Sequence, residues 1–169
     1  MNNGILIAYA TKCGSTGEVA QVIAKSLGEK GATVDVRPVK SVTSLDGYQA
    51  VVIGSAIRMG KWLPEAVAFV RQHQSRLGQI PTAFFTVHML NVADDPKSQA
   101  AREAYVAPVH QLLTPSAEAF FAGKIELARM NLFDRLISKA MKAADQDLRD
   151  WNKIRTWAEG YYPTLGQVG

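Results

Sequence analysis

Cys13 is the one cysteine in 169 residues, so no intrachain disulfide can form and the fold has to be held by burial. That scarcity suits a reducing compartment, and a place in the cytoplasm is the expectation. Paired Cys/His spacing is missing as well, so no metal site is expected. No apolar run approaches the ~20 residues that cross a bilayer. The opening MNNGILIAYATK has no basic leader ahead of its apolar run, so a secretory signal is not expected. The chain lacks an acidic excess: 19 Lys and Arg outnumber 15 Asp and Glu, for a net charge of +4. It also lacks any dense cationic run. The basic balance therefore reads as a solvated surface, with an anionic membrane or acidic partner as the alternative and no nucleic acid expected. No Ser/His/Asp triad is apparent, and no catalytic residue is singled out. His73 and His110 fall in predicted helices and read as surface or structural residues.

What is present is an ordinary globular composition, 47% hydrophobic and 20% charged, in a length that fits one domain over residues 1–169. Strand and helix patterns alternate along it. GILIAYA is a near-continuous apolar run, as in a parallel strand covered on both faces. Residues 15–30 set Val19, Ala20, Ile23, Ala24 and Leu27 at helical spacing, and Gly31 supplies the stop. ATVDVRPV alternates like a strand near a sheet edge, and QAVVIGSAI reads as another buried strand. Pro64 opens a helix through Arg76 with Ala66, Phe69 and Val70 inward. PTAFFTVHML is a fourth strand. The segment from Ala93 to Leu113 turns helical after Asp-Pro, with a break expected at Pro108. SAEAFFAGKIEL is read as one fifth strand, followed by helices near 131–144 and 147–159. Such alternation predicts an α/β sandwich, a parallel sheet with helices on both faces. Ligands of open sheets of this kind sit at the C-terminal strand ends. The segments to inspect are therefore 10–16, 55–62, 86–95 and 123–131.

The first of these, ATKCGST, joins the first strand to the first helix. Amides at a helix start carry partial positive charge and suit a phosphate. Thr11, Ser15 and Thr16 add hydroxyls, and Gly14 permits close approach or a positive φ. There is no Gly-Lys-Ser/Thr ending and no G-x-G-x-x-G, so this is neither a Walker nor a dinucleotide loop. Either the loop holds one terminal phosphate, or Ser15 or Thr16 simply caps the helix.

Thr11, Gly14, Ser15 and Thr16 resemble the T-x-x-G-[S/N]-T phosphate loop of flavodoxins, which wraps the phosphate of FMN. YQAVVIGSAIRMGKW is similar to the third strand and following loop of the flavodoxin-domain branch that includes the menaquinone-dependent protoporphyrinogen dehydrogenases. SRLGQIPTAFFTVHML resembles their fourth strand and second flavin loop. AGKIELARMNLFDRLISKAMK resembles their fifth strand and next helix, and DLRDWNKIRTWAEG their final helix. The resemblance covers nearly the whole chain, in order. It implies a flavodoxin-like fold with five parallel strands in the order 2-1-3-4-5 and FMN as cofactor.

On that resemblance the phosphate loop comprises Thr11, Lys12, Cys13, Gly14, Ser15 and Thr16, and two further loops flank the flavin ring. In the first, Ser55, Ala56 and Ile57 end the strand, and small Ser55 and Ala56 allow the ring to approach. Arg58 stabilises an anionic reduced flavin or substrate, or is an ordinary exposed arginine. Gly60 allows a peptide rearrangement beside the flavin N5. Trp62 stacks on the ring or packs under the following helix. In the second loop, Thr86, Val87, His88 and Met89 meet the pyrimidine edge, with a structural histidine and a core methionine as the alternatives. Cys13 at a helix start invites a lowered thiol pKa, which a bound phosphate opposes.

The segment NLFDRLISKAMKAA gathers Leu132, Phe133, Leu136, Ile137, Ala140, Met141 and Ala144 on one face, flanked by Arg135, Lys139 and Lys142. It either covers the sheet as an ordinary helix or makes a peripheral contact with the inner face of a membrane, where a quinone partner would reside. The expected function is an FMN-dependent oxidoreductase passing electrons from protoporphyrinogen or a related substrate to a quinone. The alternative is a carrier that docks on a redox protein, which the basic pI of about 9.3 disfavours.

Overall fold

The computed structural model describes residues 4–165. In chain order the elements are β1 Gly4–Ala10, α1 Ser15–Glu29, β2 Val34–Pro38, β3 Tyr48–Arg58, β4 Lys61–Trp62, α2 Pro64–Leu77 and β5 Thr82–His88. There follow α3 Pro96–His110, β6 Ala117–Ala122, β7 Lys124–Ile125, α4 Leu132–Ala140, β8 Gln146–Asp147 and α5 Trp151–Leu165. The main sheet runs β2-β1-β3-β5-β6, all parallel, with the short β4 folded back antiparallel on β3. Counting only the long strands, this is the expected order 2-1-3-4-5, with the chain reversing direction across the sheet at β1 and β3.

The strands are apolar on both sides because both sides are covered. Leu6, Val51, Ile53 and Phe84 meet Ala66, Phe69 and Val70 of α2 and Tyr105, Val106 and Val109 of α3. On the opposite face Ile5, Ile7, Val52 and Phe85 meet Val19, Ala20, Ile23 and Leu27 of α1 and Ile154, Ala158 and Leu165 of α5. Adjacent Phe84 and Phe85 thus anchor opposite layers, and truncating either to alanine should cost about 3–5 kcal/mol. Gly54 lies opposite Phe85 in register, and a Cβ there would overlap the phenyl ring.

Several boundaries differ from those the sequence suggests, and each has a local cause. The fifth strand is not continuous over 116–127. It stops at Ala122, because Gly123 is drawn against β5: its N–H donates to His88 O at 2.8 Å, and a Cβ would lie 2.7 Å from Val87 Cγ1. The chain then leaves the sheet as β7, which pairs antiparallel with β8. Residues 126–145 are therefore an excursion closed at its neck. The last helix begins at Trp151 rather than 147, since 146–147 are taken up in β8 and the Asp150 carboxylate accepts from Lys153 N at 2.9 Å. The helix expected over 131–144 spans only Leu132–Ala140. α3 runs through Pro108 to His110; so near the C-terminus the missing N–H removes a single bond. Segment 55–62 is less a loop than a hairpin. β3 continues to Arg58, turns at Met59 (φ 52°) and Gly60 (φ 72°), and returns as β4. Positive φ at both central residues is the geometry of a tight I′-type turn, and a left-handed methionine is unusual there.

Candidate functional site

Three segments follow the C-terminal ends of the central strands: 11–14 after β1, the hairpin after β3, and the loop after β5. The first has an open helix start. α1 is preceded by Gly14 in left-handed conformation (φ 91°), and no side chain caps its first turn. The capping alternative for Ser15 and Thr16 is thereby corrected: neither hydroxyl does that work. Thr11 Oγ1 instead accepts from Gly14 N at 2.9 Å, which pins the loop and leaves the hydroxyl proton free to donate outward. Thr16 Oγ1 is buried, its residue 0% exposed, and has no hydrogen-bond partner. A buried hydroxyl without a partner costs about 1–3 kcal/mol, so the orphan asks for an explanation.

The other loop residues divide by exposure. Lys12 is exposed and pairs with Glu65 at 3.8 Å. Cys13 is half-buried, and its thiol pKa is raised, first by burial and then by the Asp134 carboxylate, against the Arg129 guanidinium. The helix start does not make it a thiolate, contrary to what its position invited.

The second segment contributes backbone more than side chain. Ser55 is buried; its hydroxyl donates to Ala56 O at 2.8 Å and accepts from Leu63 N at 3.0 Å, so it ties β3 to the start of α2. Ala56 and Ile57 are partly exposed at the strand end. Trp62 does not present a face at the sheet edge. It is 3% exposed, donates its indole N–H to Thr86 Oγ1 at 2.8 Å, and packs 5.0 Å from the Phe84 ring. The β4 return carries it inward, so the stacking assignment is corrected to a core role. Gly60 owes its positive φ to the turn. Arg58 is exposed but not free, since its guanidinium pairs with Asp134 of α4 at 2.6 Å.

In the third segment Thr86, Val87 and His88 are all buried. His88 Nδ1 bonds Leu90 O at 2.8 Å, and burial lowers the imidazole pKa, keeping the ring neutral. Met89 is partly buried beside Gly123. The structural reading of His88 describes what its side chain does, while Met89 joins neither core layer. Their backbone stays at the strand end. A cavity of about 560 Å³ lies beyond them between β6 and α5; it shares only His88 with the residues singled out from sequence.

Residues that sequence reasoning missed come from the excursion, Arg129, and from the stretch just after its neck, Arg149. Arg129 donates to Glu18 at 2.7 Å, and its Nη1 lies 3.5 Å from where a Cβ on Gly14 would be. Arg149, its side chain 6% exposed, pairs with both Glu18 and Asp147 and stacks 4.5 Å over Trp151. Both guanidiniums hold the Glu18 carboxyl below its ordinary pKa. Two cations thus converge on the first turn of α1, and Asp134 joins α4 to the hairpin. No spacing in the sequence links positions 18, 129 and 149.

The parallel sheet with its flanking helices has counterparts among solved structures. Residues 6–151 match the flavodoxin domain family. The chain belongs to that family. Within it, this flavodoxin domain is 29% identical over 167 residues to the protoporphyrinogen IX dehydrogenase [quinone] of Escherichia coli K12, covering 90% of this chain and 91% of the relative. It is 30% identical over 170 residues to the protein of the same name from Leishmania major, covering 92% of this chain and 73% of that one. Among solved structures, two-electron reduced Megasphaera elsdenii flavodoxin superposes with a TM-score of 0.59 at 13% identity, over 94% of this chain and 98% of the other, a likeness of fold. No helix among the flavodoxin domain's described residues is long and apolar enough to cross a membrane.

Proposed function

We propose that residues 1–169 form one FMN-binding flavodoxin-like oxidoreductase of the cytoplasm, oxidising protoporphyrinogen IX or a related substrate with a quinone as acceptor. The observation that carries the cofactor assignment is the open start of α1. It combines an uncapped first turn, a left-handed Gly14 and a buried Thr16 hydroxyl without a partner. A phosphate group fits this donor set: it would accept from the amides of the first turn and from Thr11, Ser15 and Thr16. Arg129 would meet its second negative charge, with Glu18 holding the guanidinium beside the loop. Bound there, FMN would supply the electron transfer itself. The chain's residues bind and orient it: the strand ends at Ser55–Ile57 and Thr86–Met89 would offer backbone groups to the ring, and Arg58 a cation at the mouth. The substrate and acceptor are those in the names of the two dehydrogenase relatives, which align along most of their length.

The first test is the visible spectrum of the purified protein, with mass identification of any released chromophore. Colourless protein that takes up no added FMN would overturn the assignment. Quinone-coupled oxidation of protoporphyrinogen by flavin-loaded protein tests the substrate. Absence of that activity, with rapid reduction by a flavodoxin reductase, would point to a carrier instead.

A further inference from the structure

We propose, resting on the FMN reading, that Arg149 is a positioning residue of the phosphate site: it engages the Glu18 carboxylate, so that this acid neither repels a phosphate at the start of α1 nor withholds Arg129 from it. Glu18 is the acid in the first turn of α1. An acid there is favoured by the partial positive charge of the helix start, which is the charge a phosphate would use. Glu18 is therefore a competitor as well as a neighbour. Its two oxygens have separate partners. Oε1 accepts from Arg129 Nη1 at 2.7 Å, and Oε2 accepts from Arg149 Nη1. These hydrogen bonds, that from Arg129 first, hold the carboxyl below its ordinary pKa, so it is charged at neutral pH.

The two arginines differ in freedom. The Arg149 side chain is 6% exposed, against 49% for Arg129. Arg149 is fixed from several directions. Asp147 of β8 accepts from its Nη2 at 2.6 Å and from its Nε at 2.8 Å, and the guanidinium lies 4.5 Å over the Trp151 ring at the start of α5. Arg129 belongs to the excursion, and its other acid, Glu126, is 3.4 Å away. The same Arg129 nitrogen that bonds Glu18 lies 3.5 Å from where a Cβ on Gly14 would be. A phosphate on the first-turn amides would therefore have Arg129 within reach. Arg129 can turn from Oε1 to that phosphate while Arg149 stays on Oε2, and the carboxylate remains paired. Without Arg149, Arg129 is the one cation left on Glu18 among the described residues. A phosphate would then have to break that pair and face the bare acid.

The test is a cycle of full-length proteins: the parent, Arg149→Gln, Glu18→Gln and the double variant. Each is titrated with FMN and with riboflavin, which lacks the phosphate. Arg149→Gln should weaken FMN at least about fivefold and leave riboflavin unchanged. The loss should fade in about 1 M salt, which screens the exposed charges. In the Glu18→Gln background the same substitution should cost less than about twofold, since no carboxylate is left to neutralise. Arg149→Lys keeps a cation beside Glu18 but not the planar fork, and should bind FMN within about threefold of the parent. An equal loss of FMN in both backgrounds, a matching loss of riboflavin, or a lysine variant as weak as the glutamine one would overturn the proposal and leave Arg149 a brace of the neck. So would an Arg149→Gln protein that binds FMN as the parent does. A parent protein that takes up neither flavin defeats the cofactor reading itself, whereas one that binds FMN without this coupling defeats the proposal alone.

Discussion

Replacing Thr16 with valine should move stability and flavin affinity in opposite directions. Valine keeps the shape of the buried side chain and deletes a hydroxyl that has no partner. Removing an unsatisfied buried polar group should return about 1–3 kcal/mol to the flavin-free protein. For a chain of this size each kcal/mol corresponds to roughly 2–4 °C in Tm. In the loaded protein the same hydroxyl would donate to a phosphate oxygen, and a hydrogen bond to a charged group contributes about 1.5–3 kcal/mol. Its loss should weaken FMN binding by roughly 10- to 150-fold. Thermal unfolding with and without FMN, with titration of flavin fluorescence, reads both quantities on one sample series. The variant should melt higher than the parent without FMN, and the increment that FMN adds should shrink. A variant that melts lower without flavin, or binds FMN as tightly as the parent, would refute the reasoning.

Arg129→Ala should weaken FMN but leave riboflavin, which lacks the phosphate, bound as before; paired titrations check this, and an equal loss for both would show that Arg129 only supports the fold. Gly54→Ala should destabilise by about 3 kcal/mol or more because its methyl meets the Phe85 ring, and Phe85→Leu in the same chain should recover part of the loss in urea unfolding. Burial lowers the His88 pKa below its ordinary 6.5, so the unfolded chain takes up the proton first. The stability His88 allows is complete above 6.5 and is lost as pH falls below it. Urea midpoints should therefore drop from pH 7 to pH 5, and His88→Gln should flatten that slope.

The parallel sheet was legible because GILIAYA, QAVVIGSAI and PTAFFTVHML are apolar without alternation, which only strands covered on both faces require. The open turn before α1 was legible as a candidate site because small and hydroxylated residues between a strand and a helix have no core role. The cations around it were not: Glu18 and Arg129 are 111 positions apart, and Glu18 and Arg149 are 131 apart. The periodicity of 131–144 defines an apolar face but cannot say whether that face turns toward the domain. Strands of two residues carry no period, so β7 and β8 were merged into neighbouring elements. The same limit hid β4, and with it the reason Trp62 lies in the core.

The pairing of β7 with β8 has a consequence for how this protein can change. The chain departs at Lys124 and returns at Asp147, residues that are register partners, so whatever lies between them begins and ends at the same place. Lengthening such a closed span adds only a slowly growing entropy, about 0.6 kcal/mol per doubling. The stretch can therefore be rebuilt, enlarged or trimmed while the sheet's own geometry stays as it is. One scaffold can in this way acquire different attachments over unaltered strand ends, and exchanging that stretch between relatives is a practical route to altering what approaches them.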